Sequence, residues 1–139
     1  MKNPRRQITM LTGLLALALA SCSGAAAKTD TPEGAVEHII DLFDESDYDG
    51  LCEVSLYQGE VIDAEHPRHN DCVAHYEVID AEYHLGVDKD EAKASVEELD
   101  LGSEKRHFRY DTVGGESNSV QLIESDGRWY QTLDERLDR

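Results

Sequence analysis

Basic residues are scarce in this chain of 139 residues. It holds 13 lysines and arginines against 30 aspartates and glutamates, which gives a formal net charge of −17 at pH 7. A surface with this charge repels both nucleic acid and anionic lipid headgroups. The composition therefore excludes nucleic-acid binding. If the protein is attached to a membrane, the attachment cannot depend on surface charge.

A long apolar run is also missing. The longest such stretch, residues 10–20, is too short for a transmembrane helix, which needs roughly 20 residues. It follows a basic start with Lys2, Arg5 and Arg6 and leads into small residues, which is typical of an export signal. The sequence predicts that residues 1–21 are a signal peptide. The Arg5-Arg6 pair leaves twin-arginine export open beside the general route.

The order Leu19-Ala20-Ser21-Cys22 closes this leader and resembles the lipobox of bacterial lipoproteins. The resemblance implies that a diacylglycerol is attached to the Cys22 sulfur and that signal peptidase II cuts before it. Two or three acyl chains make a lasting anchor, because each buried CH₂ contributes about 0.8 kcal/mol. We expect a lipid-anchored protein on the extracytoplasmic face of the cell membrane. The alternative is an ordinary signal peptide that happens to be followed by a cysteine.

Cysteine is limited to three residues. With Cys22 carrying lipid, Cys52 and Cys72 remain, and export to an oxidising compartment favours one disulfide between them. Two free thiols or half of a metal site are the alternatives.

Sequence motifs for catalysis are missing as well. The chain has no nucleophile elbow, no phosphate-binding loop and no Cys-x-x-Cys pair, so we expect no enzyme and no cofactor. Three residues remain as acid/base candidates. They are His38, at the edge of the apolar face of the first predicted helix, and His107 and Asp111 on a predicted strand.

Histidines cluster once, at His66, His69 and His75, with Glu65 and Asp71 nearby. A His-x-x-His pair can present two imidazoles to zinc. Pro67 separates the pair, however, and solvated loop histidines explain the cluster equally well. We keep the three histidines as weak metal candidates and predict no metal site.

Acidic residues are dense over 41–49, which raises the question of calcium. An EF-hand loop needs alternating ligands, a central glycine and a closing glutamate. Residues 44–55 have Gly50 one place late and Ser55 at the end. A solvated acidic helix end is the better interpretation. The aromatic residues Phe108, Trp129 and Tyr130 are likewise expected to pack in the fold.

Residues 22–30 are predicted to be the acylated cysteine and a flexible tether, followed by a single domain at 31–135 and a charged tail at 136–139. Thr31-Pro32-Glu33 marks a helix start, with an N-cap, a proline at the first position and an acid near the positive end of the dipole. The apolar residues that follow share one helical face. They are Ala35, Val36, Ile39, Ile40, Leu42 and Phe43.

Two shorter helices are predicted next. The second covers residues 49–56, and the third begins at Asn70 or Asp71 and carries Cys72, Val73, Tyr76 and Ile79. The pattern then changes to alternation, which indicates strands. We expect strands at 83–87, 92–101 with a bulge near Glu97-Glu98, 106–113, around 120–124, and 129–133 after a Ser125-Asp126-Gly127 turn.

This order predicts an α+β domain with N-terminal helices packed on a curved antiparallel sheet of four to five strands. Three stretches make it similar to the cone-shaped nuclear-transport-factor-2-like (cystatin-like) domains of small actinobacterial lipoproteins: residues 31–36, 47–52 and 124–129. The resemblance implies a cavity between sheet and helices. It implies no single activity, because such folds host enzymes and binding modules alike. We expect a non-catalytic domain that binds an unknown partner; a small-molecule-binding or enzymatic cone, or weak metal capture, is the alternative.

Overall fold

The computed structural model describes residues 28–139. The predicted signal peptide, Cys22 and the first part of the tether lie outside the described residues.

Helix α1 (Pro32–Asp44) begins where the sequence predicts. The Thr31 side chain accepts a hydrogen bond from the Gly34 backbone N–H at 3.1 Å, and Pro32 occupies the start of the helix. All six residues of the predicted apolar face are buried. Local capping and helical periodicity therefore suffice to place this element.

The remaining elements of the described residues follow in chain order. The helices are α2 (Tyr48–Glu53), α3 (His69–Ile79), a π-helical turn (Asp80–His84), α4 (Lys89–Ala94), a 3-10 turn (Val113–Gly115) and α5 (Asp134–Leu137). The strands are β1 (Ser55–Tyr57), β2 (Glu60–Val61), β3 (Glu97–Leu99), β4 (Arg106–Asp111), β5 (Ser117–Ser125) and β6 (Arg128–Thr132).

The six strands form one sheet in the order β2-β1-β6-β5-β4-β3. Strands β1 and β6 run parallel, with Leu56 opposite Thr132, and the other neighbours are antiparallel. The α+β class is confirmed, but the prediction of four to five strands is wrong. Strands β1 and β2 are three and two residues long, too short for an alternating pattern to reveal them.

The predicted strand at 83–87 is also wrong. Helix α3 runs on into the π-helical turn, and the backbone N–H of Leu85 bonds to the Asp80 carbonyl at 3.1 Å. Tyr76, Ile79 and Tyr83 have the i, i+3, i+7 spacing of a helix. This spacing predicts a helix, whereas the alternation of residues 83–87 predicts a strand. The chain continues as a helix through His84.

The predicted strand at 92–101 is replaced by helix α4 and the three-residue β3. Asp88 caps α4, because its side chain accepts hydrogen bonds from the backbone N–H groups of Asp90 and Glu91 at 2.9 and 3.1 Å. An N-cap acid of this kind fixes a helix start locally. The apparent bulge near Glu97-Glu98 is the boundary between two elements.

The last part of the sheet follows the prediction more closely. Asp126 and Gly127 both have positive φ, 51° and 76°, in the two-residue turn that joins β5 to β6. Such a turn requires a left-handed backbone at both central residues, which Asp-Gly tolerates.

The core lies between α1 and one face of the sheet. Val36, Ile39 and Phe43 pack in a single buried cluster with Phe108, Tyr110, Val120, Leu122 and Leu133. Cys52 and Cys72 are both fully buried and are joined in the predicted disulfide, which ties α2 to α3.

Both ends of the described chain contact the domain. Thr29 is buried, and its carbonyl accepts a hydrogen bond from the Trp129 backbone N–H at 2.8 Å. Near the other end, Asp138 accepts a hydrogen bond from the Tyr57 hydroxyl at 2.7 Å. Both ends of the described chain are therefore bonded to strands of the sheet. None of the helices in residues 28–139 combines the length and the apolar composition that a membrane span requires.

Candidate functional site

A cleft of about 250 Å³ opens between α1 and the π-helical turn. Its apolar wall is formed by Ile40 and Phe43 of α1 and by Leu85 and Val87, which follow the turn. Its polar lining comes from Asp44, Ser46, Asp80, His84 and Lys89, with Gly86 between. An apolar wall with a few converging polar groups is the usual form of a small-molecule site.

Asp80 is the best-positioned polar group of this cleft. Its Oδ2 atom accepts hydrogen bonds from the Tyr48 hydroxyl at 2.7 Å and the Ser46 hydroxyl at 3.5 Å. Hydrogen bonding to this carboxylate raises the pKa of Tyr48, which keeps the phenol protonated as the donor. Both bonds reach the same oxygen, so the other oxygen, Oδ1, has no hydrogen bond from the described residues.

His84 forms the inner end of the cleft and is only 8% exposed. Its Nε2 atom lies 2.5 Å from the Tyr110 hydroxyl, and its ring stacks on Phe43 with centroids 3.8 Å apart. The Asn118 side-chain amide donates a second hydrogen bond to the Tyr110 oxygen at 3.0 Å. The ring of His84 is therefore fixed on both its edge and its face.

The environment of His84 favours its neutral form. Burial lowers the pKa of His84, a shift that the backbone of Ile79 and the negative charge of Asp80 oppose. Burial also raises the pKa of Tyr110. Both side chains are therefore uncharged at neutral pH. The other ring nitrogen of His84, Nδ1, is buried and has no hydrogen-bond partner among the described residues.

The rim of the cleft carries mixed charge. Lys89 lies 3.6 Å from Asp44, so these two charges largely neutralise each other. The uncompensated charge of the cleft is then the Asp80 carboxylate. The chemistry on offer is recognition of a hydrogen-bond donor or a cation attached to a small apolar body.

No known protein family, curated protein or solved structure matches this chain. No relative therefore assigns a role to the cleft or to any other part of the domain.

The predicted histidine cluster does not form a three-ligand site. His66 accepts a hydrogen bond at Nδ1 from the Arg68 backbone N–H at 3.1 Å, and His69 Nε2 lies 2.8 Å from Asp49. His75 is half-buried beside Tyr76, and burial lowers its pKa. Within residues 28–139, no three His, Cys, Asp or Glu side chains are arranged to hold a metal ion.

The acid/base candidates are not gathered either. His38 is half-buried on α1, where burial and the charge of Lys28 lower its pKa against the opposing charge of Asp41. His107 and Asp111 alternate with the buried Phe108 and Tyr110 on β4, so they lie on the opposite face of the sheet. His107 contacts the Ser103 hydroxyl at 3.0 Å.

The acidic stretch from Asp44 to Ser55 has structural partners. Asp44 pairs with Lys89, Asp47 caps α2 through a 2.9 Å bond from the Gly50 N–H, and Asp49 contacts His69. The aromatic residues also serve packing, because Phe108 is buried and Trp129 is half-buried under the Arg106 guanidinium, 5.7 Å from its ring centroid.

Asp80, His84 and Tyr110 are the residues that sequence reasoning missed. His84 and Tyr110 are 26 positions apart, and no motif links them. A usable signal was the helical spacing up to Tyr83 followed by Gly86, which has a φ of 80° and ends the turn. π-helical turns within longer helices often mark functional sites.

Proposed function

We propose that the protein is a lipoprotein, held by acylated Cys22 on the extracytoplasmic face of the cell membrane. We propose further that its domain binds a ligand without transforming it. The binding site in this proposal is the cleft between α1 and the π-helical turn. The ligand class is a small molecule or side chain with an amine or another N–H donor on an apolar body.

The lipid anchor is supported by the leader and by the charge of the chain. Residues 19–22 have the order of a lipobox, directly after an apolar stretch of the length that export signals have. The net charge of −17 opposes adsorption to anionic lipid. Acyl chains supply a hold on the membrane that does not depend on surface charge.

Binding without catalysis is supported by the way the polar groups are used. His84 and Tyr110 are bonded to each other, and Tyr110 is fully buried. A general acid or base must reach its substrate within hydrogen-bond distance. Neither group of this pair reaches the open part of the cleft, because Tyr110 is fully buried and Nδ1, the ring nitrogen of His84 that Tyr110 does not contact, is buried as well.

The observation that carries the ligand class is the position of Asp80. One of its oxygens is fixed by Tyr48 and Ser46, and the other has no partner among the described residues. An oriented carboxylate beside Leu85 and Val87 pairs a hydrogen-bond acceptor with an apolar wall. Charge-assisted hydrogen bonds to such a group are about twice as strong as neutral ones.

We also propose that the domain is a divergent member of the cone-shaped, nuclear-transport-factor-2-like folds. The packing of α1 against the inner face of β4 and β5 supports this. Strands β1 and β2, which precede α3, are where the order departs from the helices-first prediction.

The test uses the purified lipoprotein in neutral detergent with methyl groups labelled for NMR. Butylamine is titrated into one sample, and butyrate, which has the same number of carbon atoms and the opposite charge, into another. We expect butylamine to shift the Leu85 and Val87 methyl signals saturably, and butyrate to leave them unchanged.

Two variants give this test its control. Asp80→Asn removes the carboxylate charge, and we expect it to abolish the response to butylamine. Glu82→Gln removes an exposed charge from the same turn without touching the cleft, and the response should survive. Equal shifts with both probes, or loss of the response in both variants, would contradict the proposed ligand class.

A further inference from the structure

Residues 28–139 contain ten lysines and arginines, and four of them have no carboxylate partner among the described residues. Six of the lysines and arginines in residues 28–139 lie within ion-pair distance of an aspartate or glutamate: Lys28, Arg68, Lys89, Lys93, Arg106 and Arg109. Carboxylates outnumber cations more than two to one. A cation without a carboxylate partner is therefore unexpected on this surface.

Three unpaired cations line one cleft. Lys105, Arg136 and Arg139 form no ion pair with the described residues, and all three line an opening of about 240 Å³ where β6 gives way to α5. Lys105 comes from the segment before β4, whereas the two arginines come from the C-terminal helix and the residues after it. The fold thus brings them together from separate parts of the chain.

Neutral polar residues complete the lining of this cleft. Gln121 and Thr132 lie beside the cations. Gln131 also borders the opening, but it lies opposite Leu122 and Ser55 in the sheet, so its side chain is on the core face and adds no donor to the cleft.

From these features we infer that the cleft is a binding site for an oxyanion, in the form of a phosphate group. The Lys105 ammonium supplies a point donor, and the Arg136 and Arg139 guanidinium groups supply planar forks that match phosphate oxygens. The cleft shares no residue with the one beside His84. This inference therefore goes beyond the proposed function and does not depend on it.

Acidic residues of the cleft do not remove this preference. Asp134 and Glu135 also line the opening. The Asp134 carboxylate, however, accepts a hydrogen bond from the Gln58 backbone N–H at 2.5 Å, which ties it to the loop between β1 and β2. The three cations exceed the two acids by one positive charge, against a domain that is otherwise strongly negative.

The phosphate group can belong to a soluble molecule or to a phospholipid headgroup. Two titrations of the purified lipoprotein in neutral detergent separate these sources. Isothermal calorimetry with inorganic phosphate tests the soluble form, and short-chain phosphatidylglycerol added to the micelles tests the headgroup. We expect saturable heat with at least one of the probes, weakening as sodium chloride is raised because salt screens the cations.

Variants of the lining residues test whether the heat of the titration comes from binding in this cleft. We expect Lys105→Gln, Arg136→Gln and Arg139→Gln each to weaken binding by about tenfold, since each removes a charge-assisted hydrogen bond to the ligand. Arg128→Gln removes an exposed, unpaired cation outside the cleft and is the matched control.

Three results are distinguishable. Heat with phosphate that is lost in the three variants and kept in Arg128→Gln supports a soluble ligand. Heat with phosphatidylglycerol alone, and the same pattern in the variants, supports the headgroup. No heat with either probe, or equal weakening in Arg128→Gln, overturns the inference.

Discussion

The hydroxyl of Tyr110 and the Nε2 atom of His84 lie 2.5 Å apart inside the domain. Tyr110 belongs to β4, in the middle of the antiparallel part of the sheet, and His84 ends the π-helical turn. This single bond joins the sheet to the segment that walls the cleft. The position of His84 in the cleft therefore depends on a strand that follows it by 26 residues.

Tyr110→Phe is expected to destabilise the domain by about 1–3 kcal/mol, because it leaves the buried Nε2 atom of His84 without its partner. Chemical denaturation with the disulfide intact measures the change. The Asn118 amide also loses an acceptor, but it is only half-buried and can turn to water.

The double variant Tyr110→Phe/His84→Leu separates the bond from the packing. Replacing both polar partners by apolar groups removes the unpaired atom, so its destabilisation should be smaller than the sum of the two single changes. Simple additivity would mean that the two residues do not act as a pair.

Stability is expected to fall as the pH is lowered from 7 towards 5. The pKa of His84 is lowered by burial from its ordinary value of 6.5. The unfolded chain then takes up a proton at a higher pH than the folded domain does, so folding is favoured above pH 6.5 and loses stability below it. The slope from one such group is at most about 1.4 kcal/mol per pH unit.

His84→Gln provides the comparison, because it removes the titrating group and keeps a polar side chain near Tyr110. Denaturation at half-unit intervals of pH should give a shallower decline for this variant than for the parent. His38 and His75, whose pKa values are also lowered by burial, account for the remaining slope. Identical slopes in the two proteins would rule out His84 as a source of the pH dependence.

The disulfide is expected to contribute about 3 kcal/mol, since Cys52 and Cys72 close a loop of about 20 residues. Cys52→Ala/Cys72→Ala should lower the free energy of unfolding, measured by chemical denaturation, by that amount. Both sulfur-bearing residues are fully buried, so dithiothreitol should act slowly on the native protein and quickly in denaturant. The double variant, which has no bond to reduce, should not respond to dithiothreitol at all.

Helix α1 could be predicted because its information is local. Thr31 and Pro32 mark its start, and every third or fourth residue after them is apolar and buried. The Asp126-Gly127 turn was predictable for the same reason, since its positive φ angles depend on two adjacent residues. The pairing of Cys52 with Cys72 was predictable by elimination, because the third cysteine, Cys22, was assigned to lipid.

Other features could not be read locally. Strand β1 exists because Ser55 and Leu56 find partners on β6, more than seventy residues away. Alternation at 83–87 was misleading, because Leu85 is 79% exposed and does not face a core. The cleft itself combines α1, the π-helical turn and Lys89, and its inner end is fixed by Tyr110, so no single stretch of sequence carries its pattern.

The most direct test of the account is the intact mass of the N-terminus after expression in a bacterium that processes lipoproteins. We predict that residues 1–21 are absent and that Cys22 carries a diacylglycerol, with or without a third acyl chain on its amine. Cys22→Ala should leave the precursor uncut. An unmodified Cys22 thiol, or cleavage at any other residue, would contradict the central claim that this acidic domain is held at the membrane by lipid.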